Sequence, residues 1–449
     1  MAKVLISAIG TGPKQSERDY DGTVYKFPGS TKEYKTKFIA SALCEHLKVD
    51  RLYLVGTAKS IWEEVYNYFS KAVNINADTE YWSEIGQKAE SFKYLSSKSR
   101  ITDEDLKTLN ETIDRYLKSI NSSATGGSQC FIIEYGISES ELWDNFSTFM
   151  RICENLQEND EVYLDITHAF RSIALFNYIT LDLISILKFK KAFKLSGLFY
   201  GMLDVKSELH YAPIVDLSSY YNMTMWARAA YDFTNFGNGY LLSELISDKD
   251  ISEKIRDISE IVNINYIDDF KRHIDALNGL LENNRSSEPV IKYMFPYLIN
   301  FTKRFKGINS SGKLQFALAE WYFDNKRYAQ GYICLTESII TRLLEVYREK
   351  DNNIKWAKKN RDCIKNLILN YLKTAEEFCM IYEIYNSILF IRNAIAHAGY
   401  MDNKDFNEDI KNAPVRVSKV KKYVFDNAAL RKIPDKYSFL LNSFIKSET

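Results

Sequence analysis

The sequence has no long run of apolar residues and no excess of charge of either sign. Among its 449 residues, 59 Lys and Arg balance 59 Asp and Glu, and 46% of the residues are hydrophobic. The longest apolar stretch, residues 173–187, is interrupted by Asn177 and Asp182 and is too short and too polar to span a bilayer. With no targeting segment recognised either, we expect a globular cytoplasmic protein without a membrane span.

Cysteine is also scarce, and its spacing excludes some kinds of site. The six cysteines are widely separated and form no Cys-x-x-Cys pair, which argues against a zinc ribbon or a thiol redox motif. We expect reduced thiols, most of them buried.

Short apolar segments alternate with amphipathic ones over the first 215 residues, which we interpret as the first domain. Strands are predicted over residues 4–9, 51–55, 129–135, 161–166, 195–200 and 209–215. Helices are predicted over residues 31–47, 60–69, 103–120, 140–156 and 169–187. This alternation predicts a mostly parallel, doubly wound, Rossmann-like α/β sheet. The last two strands are close in sequence, so we expect them to form an antiparallel pair at an edge.

Residues 216–449 carry a different pattern. Segments such as 331–347 and 375–396 have apolar residues at helical spacing, and no convincing run of strands follows residue 215. We therefore predict a second, all-α domain over residues 216–449, with loops near 286–289 and 307–312.

Glycine, hydroxyl and basic residues follow several of the predicted strands. In open α/β sheets, ligands bind outside the carboxyl ends of the strands. Glycine lets backbone N–H groups approach a ligand, and helix N-termini favour anions, so a phosphate-bearing ligand is predicted. Gly10 and Gly12 are not followed by a third glycine that opens a helix, so the pattern is not that of a conventional dinucleotide site. The structural alternatives are that these glycines only end strands, and that His168 is a polar residue whose hydrogen bonds are satisfied within the fold. The candidate ligand-binding residues are Gly10, Thr11, Gly12, Gly56, Thr57, Thr167, His168 and Arg171.

A second candidate site lies on a helix predicted over residues 381–398. Arg392, Asn393 and His397 stand beside its apolar stripe. Arg392 and His397 are five residues apart and therefore diverge by about 140° around the helix axis. Two such helices around a twofold axis can bring them to one phosphate. A 2′-hydroxyl can attack the neighbouring RNA phosphate without a metal, while histidine moves protons and arginine stabilises charge. The structural alternative is a surface arginine and a partly buried histidine.

The charge distribution agrees with an RNA-handling surface in the second domain. Residues 300–449 contain 26 Lys and Arg against 17 Asp and Glu, whereas residues 1–299 contain 33 against 42. A basic surface attracts nucleic acid. A solvated helical surface without a partner would have the same composition.

Taken with this organisation, the residues resemble a known family, the CARF–HEPN ribonucleases of type III CRISPR systems (the Csx/Csm accessory group). The resemblance covers nearly the whole chain. Residues 7–12 and 165–171 resemble a CARF domain. Residues 392–397 resemble a HEPN domain, and residues 226–232 resemble the opening helix of that domain.

The resemblance implies an allosteric enzyme. A CARF dimer would bind cyclic oligoadenylate, with cyclic tetra-adenylate expected and cyclic hexa-adenylate the alternative. A HEPN dimer would then cut single-stranded RNA without a metal or cofactor. Its catalytic residues would be Arg392 and His397, with Asn393 as the polar neighbour of the arginine.

Two other functions remain open from the residues. The first is a non-catalytic, ligand-responsive regulator that binds nucleic acid, in which Arg392 and His397 only support dimer packing. The second is a nucleotide-dependent enzyme of the α/β domain. The resemblance implies one form of it, slow cleavage of the cyclic oligoadenylate, which is compatible with RNA cutting elsewhere in the chain.

Overall fold

The chain divides into two compact units, Met1–Asn222 and Met223–Thr449. A computed structural model describes residues 2–10, 22–91, 101–168, 178–179, 182–183, 194–283, 290–397 and 406–446. Within these ranges no helix is both long and apolar enough to cross a membrane.

The first unit is built on an eight-stranded mixed sheet with the order β3-β2-β8-β7-β6-β1-β4-β5. The strands are β1 (Lys3–Ile9), β2 (Thr23–Lys26), β3 (Glu33–Thr36), β4 (Arg51–Thr57), β5 (Gln129–Ile133), β6 (Glu161–Asp165), β7 (Lys194–Gly201) and β8 (Ala212–Asp216). The five strands from β7 to β5 all pair in parallel. The predicted α/β class with a mostly parallel sheet is therefore confirmed.

Each face of the sheet buries an apolar layer. Successive side chains of a strand point to opposite faces, so Leu5 and Leu52 join one buried cluster while Val4 and Tyr53 join the other. The described helices of this unit are α1 (Ile39–Leu47), α2 (Trp62–Ala72), α3 (Thr79–Ser91), α4 (Lys107–Ile120), α5 (Glu139–Glu154) and α6 (Lys206–Leu209), with 3₁₀ turns at Asp103–Leu106 and Leu203–Val205. The helix predicted over residues 169–187 lies mostly outside the described residues.

The helix predicted over residues 31–47 is wrong in its first part. Residues Glu33–Thr36 form β3, which pairs antiparallel with β2, and the helix begins only at Ile39. Tyr34 and Thr36 are buried while Glu33 and Lys35 are exposed, which is the two-residue alternation of a strand. The pattern is too short to stand out beside the helix that follows.

The predicted antiparallel pair at the end of the first unit exists, but it is not at an edge. β7 and β8 pair antiparallel, and β2 then pairs in parallel with the other side of β8. The edge on that side is β3. This correction follows from the β2–β3 hairpin, which the sequence pattern did not reveal.

From residue 218 the described chain is almost entirely helical. The helices are α7 (Ser218–Phe236), α8 (Tyr240–Leu245), α9 (Lys249–Ile264), α10 (Ile267–Asn283), α11 (Ile291–Lys303), α12 (Ser311–Asp324), α13 (Tyr328–Lys350), α14 (Lys358–Asn366), α15 (Cys379–Ala396), α16 (Phe406–Lys411), α17 (Ala413–Val420) and α18 (Ile433–Lys436). Short 3₁₀ or π-helical turns follow several of them, and one isolated bridge joins Ile354 to Lys446. The helices of the second unit share one large apolar core.

One of the two predicted loops is shorter than expected. Ser310 caps α12 by accepting a hydrogen bond from the backbone N–H of Lys313 at 3.1 Å, so Ser311 and Gly312 belong to the helix. The loop predicted near residues 286–289 lies outside the described residues.

Candidate functional site

Three neighbouring strands bring their carboxyl ends together at one edge of the sheet. β1 lies between β6 and β4 and is parallel to both. Gly10 follows β1, Thr57 ends β4, and Thr167 and His168 follow β6. A Cβ atom built on Gly10 would lie only 3.5 Å from the backbone oxygen of His168. Parallel pairing therefore brings Gly10 and His168 together although 158 positions separate them in the chain.

A small cavity opens at this edge. Its volume is about 60 Å³, which is room for a few water molecules rather than a nucleotide. Polar lining comes from Ser7, Gly10, Lys37 and His168, and Phe38 and Ile39 add the start of α1. The deeper wall is apolar and consists of Leu54, Ile61, Val65 and Phe69. Anything as large as a nucleotide must therefore lie over this cavity.

The buried carboxylate of Asp165 organises the strand ends beneath the cavity. Asp165 is fully buried and accepts hydrogen bonds from the hydroxyls of Ser7 and Thr167, each at 2.5 Å. It also accepts the backbone N–H of Thr167 at 3.0 Å. The Thr167 hydroxyl in turn accepts the N–H of Gly201 at 2.7 Å. One carboxylate thus connects β1, β6 and, through Thr167, the end of β7.

Burial dominates the titration of both ionisable groups here. It raises the pKa of the Asp165 carboxyl, although the hydrogen bonds from Ser7 and Thr167 oppose the shift by stabilising the charged form. Burial lowers the pKa of the His168 imidazole below its ordinary 6.5, with the Asp165 charge acting in the opposite direction. We therefore expect His168 to be neutral at neutral pH.

Two predicted ligand-binding residues on β4, Gly56 and Thr57, lie beside the cavity rather than in its wall. A Cβ atom on Gly56 would lie 2.7 Å from both Ser60 Oγ and Trp62 Cζ2, so this glycine makes room for its own neighbours. The Thr57 side chain is 1% exposed. Its hydroxyl has no hydrogen-bond partner among the described residues. Neither residue lines the cavity.

Three predicted residues fall outside the described ranges, and three residues that were not predicted belong to the cavity edge. Thr11, Gly12 and Arg171 lie outside the described residues. Ser7, Asp165 and Lys37 were not among the candidate site residues, and they line or support the cavity. For Ser7 and Asp165, the signal in the sequence was a polar residue within a buried strand, since buried polar groups require partners.

In the second unit, α15 carries the other predicted site. Its inner face packs Ile381, Ile384, Tyr385, Ile388 and Ile391 into the helical core. Apolar residues at this spacing bury one side of a helix and leave the other side open. The helix ends at Ala396, and His397 is its C-cap, so the predicted helix end at residue 398 is slightly late.

The three predicted catalytic side chains differ in exposure and direction. Arg392 and Asn393 are half-buried and His397 is exposed. The Arg392 guanidinium donates to the side-chain oxygen of Asn393 at 3.2 Å, and the backbone N–H of His397 donates to the carbonyl of Asn393 at 3.0 Å. Asn393 therefore contacts both partners, while the five-residue spacing directs Arg392 and His397 apart.

A group of charges surrounds a buried phenol on the same helix. Arg361 of α14 pairs with Glu337 of α13 and also donates to Thr341 at 2.9 Å. Tyr385 is fully buried. Burial, and after it the charge of Glu337, raises the pKa of its phenol to about 12, while the charges of Arg392 and Arg361 act in the opposite direction. Its hydroxyl has no hydrogen-bond partner within the described part of the chain.

The described residues contain no group of three or more His, Cys, Asp or Glu side chains placed to hold a metal ion. All six cysteines lie in described segments and are free thiols, four of them buried.

Comparison with known families matches both units. Residues 4–204 match the family described as "CRISPR system endoribonuclease Csx1, CARF domain". Residues 222–310 match "CRISPR-associated protein MJ1674, second domain".

Proteins similar to this chain include a curated relative and a solved structure. CRISPR-associated protein MJ1674 of Methanocaldococcus jannaschii is 42% identical over 426 residues, which are 92% of this chain and 66% of that protein. The chain thus spans slightly less than two thirds of its relative's length. A solved structure of Enterococcus italicus Csm6 bound to cyclic hexa-2′-fluoro-hexa-dAMP has a TM-score of 0.42 at 13% identity, with 95% of this chain and 94% of that chain covered.

The parallel sheet and the matched residues define a protein with an N-terminal CARF domain. Together with the identity to MJ1674, this makes the chain similar to CRISPR-associated proteins that contain a CARF domain.

Proposed function

We propose that this protein is a metal-independent endoribonuclease that cyclic oligoadenylate switches on in type III CRISPR antiviral defence. The ligand would bind at the cavity edge of the CARF sheet. Single-stranded RNA would be cut by a HEPN site in the helical unit, without any cofactor. The active site would be composite, formed where two copies of α15 meet in a homodimer.

One observation carries the catalytic part of this proposal. Arg392, Asn393 and His397 lie at the C-terminal end of α15, and the opposite face of this helix is buried in the core. A buried helix face fixes the backbone, and accessible polar groups on such a support are suited to act on a substrate. The divergence of Arg392 and His397 favours a site shared by two chains.

The roles follow from chemistry that these residues can perform. A histidine can take the proton of the RNA 2′-hydroxyl or give one to the leaving 5′-oxygen. An arginine can stabilise the negative charge that develops on the phosphorane. Asn393 would hold the guanidinium of Arg392 in place through its side-chain oxygen. The products would be a 2′,3′-cyclic phosphate and a free 5′-hydroxyl.

The test is an RNA cleavage assay with a panel of rings. Wild type is incubated with labelled single-stranded RNA, a chelator and cyclic tri-, tetra-, penta- or hexa-adenylate. We expect silence without a ring and cutting with cyclic tetra-adenylate, with cyclic hexa-adenylate the alternative activator. RNA that stays intact with every ring contradicts the proposal.

His397→Ala separates catalysis from a purely structural role. Because His397 is exposed and follows the last residue of the helix, its loss should abolish cutting and leave thermal unfolding unchanged. If the variant instead dissociates or unfolds, the protein is better described as a ligand-responsive regulator that binds nucleic acid. Mass analysis of the ring after incubation tests whether the CARF domain also degrades its activator.

A further inference from the structure

The hydrogen bonds of Asp165 determine what the hydroxyls beside the cavity can offer to a ligand. Ser7 and Thr167 both donate their only hydroxyl hydrogen to this buried carboxylate, at 2.5 Å each. A hydroxyl has one hydrogen and two lone pairs. Once that hydrogen is committed, the oxygen can only accept a further hydrogen bond.

The remaining capacity can be counted. The Thr167 oxygen already accepts the N–H of Gly201 at 2.7 Å, so one lone pair is left. Ser7 Oγ makes only the bond to Asp165 in the described part of the chain, so its acceptor capacity is still available. Ser7 lines the cavity, and Thr167 is half-buried directly before His168, which also lines it.

We propose that Asp165 is a specificity-determining residue of the CARF site: by fixing Ser7 and Thr167 as hydrogen-bond acceptors, it selects a ligand that presents a hydrogen-bond donor to them. This inference rests on the proposed binding of cyclic oligoadenylate at this edge. Asp165 acts through the two hydroxyls and does not itself touch the ring, because Ser7 lines the cavity and Asp165 does not.

This assignment determines which groups of the ligand can bind the two hydroxyls. Phosphodiester oxygens are acceptors only, and hydroxyls turned toward Asp165 give them no hydrogen. The phosphates must therefore be bound by other groups at the edge, such as the backbone N–H of Gly10 or the ammonium of Lys37. An adenylate ring carries two kinds of donor for the hydroxyls, the ribose 2′-hydroxyl and the adenine 6-amino group.

The experiment measures ring affinity by titration calorimetry on the full-length protein. Three probes are compared: cyclic tetra-adenylate, its all-2′-deoxy analogue, and the cyclic tetramer of purine riboside monophosphate, which lacks the 6-amino donor and adds no other. The same three hexameric probes are run in parallel. We expect one of the two analogues to bind wild type at least about tenfold more weakly, since a polar site left unpaired costs about a hydrogen bond. The weaker analogue identifies which donor is used.

The variants assign the effect to the hydroxyls. Thr167→Val and Ser7→Ala each remove one acceptor, and Asp165→Asn, with one acceptor and one donor group, releases a hydroxyl hydrogen. In at least one of these variants, the affinity difference between the native ring and the weaker analogue should shrink to less than about threefold. The variant has already lost the contact that the analogue cannot make, so the two ligands bind it more nearly alike. Thr167→Ser keeps the hydroxyl and should restore the wild-type discrimination.

Thermal unfolding of each variant controls for folding, and Ser7→Ala is the smallest change if Asp165→Asn does not fold. Equal binding of all three probes by wild type overturns the inference while leaving the proposed function standing. The inference is also overturned if every folded variant shows the same affinity difference between the native ring and the weaker analogue as wild type does. If wild type binds no ring at all, the inference and the proposed function fall together.

Discussion

The guanidinium of Arg392 donates a hydrogen bond to the side-chain oxygen of its neighbour Asn393 at 3.2 Å. Both side chains are half-buried at the open end of α15. The bond restrains a long, flexible side chain that the proposed chemistry needs in one position.

Replacing Asn393 by Ala should therefore slow RNA cleavage moderately. We expect about a tenfold loss of kcat, because Arg392 keeps its charge and loses only a restraint. Arg392→Ala or His397→Ala should cost about 10²-fold to 10⁴-fold, since each removes a reacting group. Single-turnover cleavage with saturating ring measures all three. A loss for Asn393→Ala as large as that for Arg392→Ala would show that Asn393 does more than restrain the arginine.

Mixing two inactive variants should test whether the site spans two chains. If each site takes Arg392 from one copy and His397 from the other, a dimer of Arg392→Ala with His397→Ala retains one intact site. Random exchange makes half of the dimers mixed, so about a quarter of wild-type activity should return. The measurement is cleavage after the two proteins are exchanged and reassembled. If no activity returns, each site needs either Arg392 and His397 from the same chain, or both residues from both chains.

The affinity for the ring should rise at acidic pH through His168. Burial lowers the pKa of this imidazole below 6.5, so the side chain is neutral at pH 7 and gains its charge only on acidification. A charged imidazole at the cavity attracts phosphate, so the dissociation constant should fall about threefold to tenfold as the pH drops through this pKa. Calorimetric titrations across pH follow the change. His168→Gln should flatten the profile, and an identical profile in that variant would assign the pH dependence to another group.

Tyr385→Phe should stabilise the helical unit. The phenol hydroxyl is fully buried and has no hydrogen-bond partner among the described residues, and an unsatisfied buried hydroxyl costs about 1–3 kcal/mol. Phenylalanine keeps the ring and removes that cost. A rise in Tm of a few degrees, about 2–4 °C for each kcal/mol, is expected by calorimetry. A lower Tm would mean that the hydroxyl has a partner, such as a water molecule.

Gly56→Ala and Gly10→Ala should have different consequences. The new Cβ at position 56 would collide with Ser60 and Trp62 at 2.7 Å, so we expect a loss of about 1–3 kcal/mol in the free energy of unfolding. At position 10, the nearest atoms would lie at 3.5 and 3.6 Å from His168, which the fold can accommodate. Because Gly10 lines the cavity, its substitution should weaken ring binding instead. Denaturant unfolding and ring titration of both variants decide between these roles.

The sequence already contained much of the first unit. Buried strands such as β1 and β4 are short apolar runs bounded by polar residues, and their spacing implies parallel pairing. By contrast, the hairpin of β2 and β3 has strands of only four residues each. Its stability comes from pairing with β8 and from buried Tyr25 and Tyr34, contacts that local pattern does not contain.

The helix with Arg392, Asn393 and His397 was also readable from the sequence, because helical periodicity is local and places each side chain by its number. What the tertiary structure alone decided lies at the sheet edge. Parallel pairing brings Ser7 and Asp165 into contact across 158 positions of chain, and the same packing turns Gly56 toward Trp62 and buries Thr57. Residue type and spacing along one strand predict which residues reach the edge, but only the neighbouring strands and helices determine which of them face a ligand.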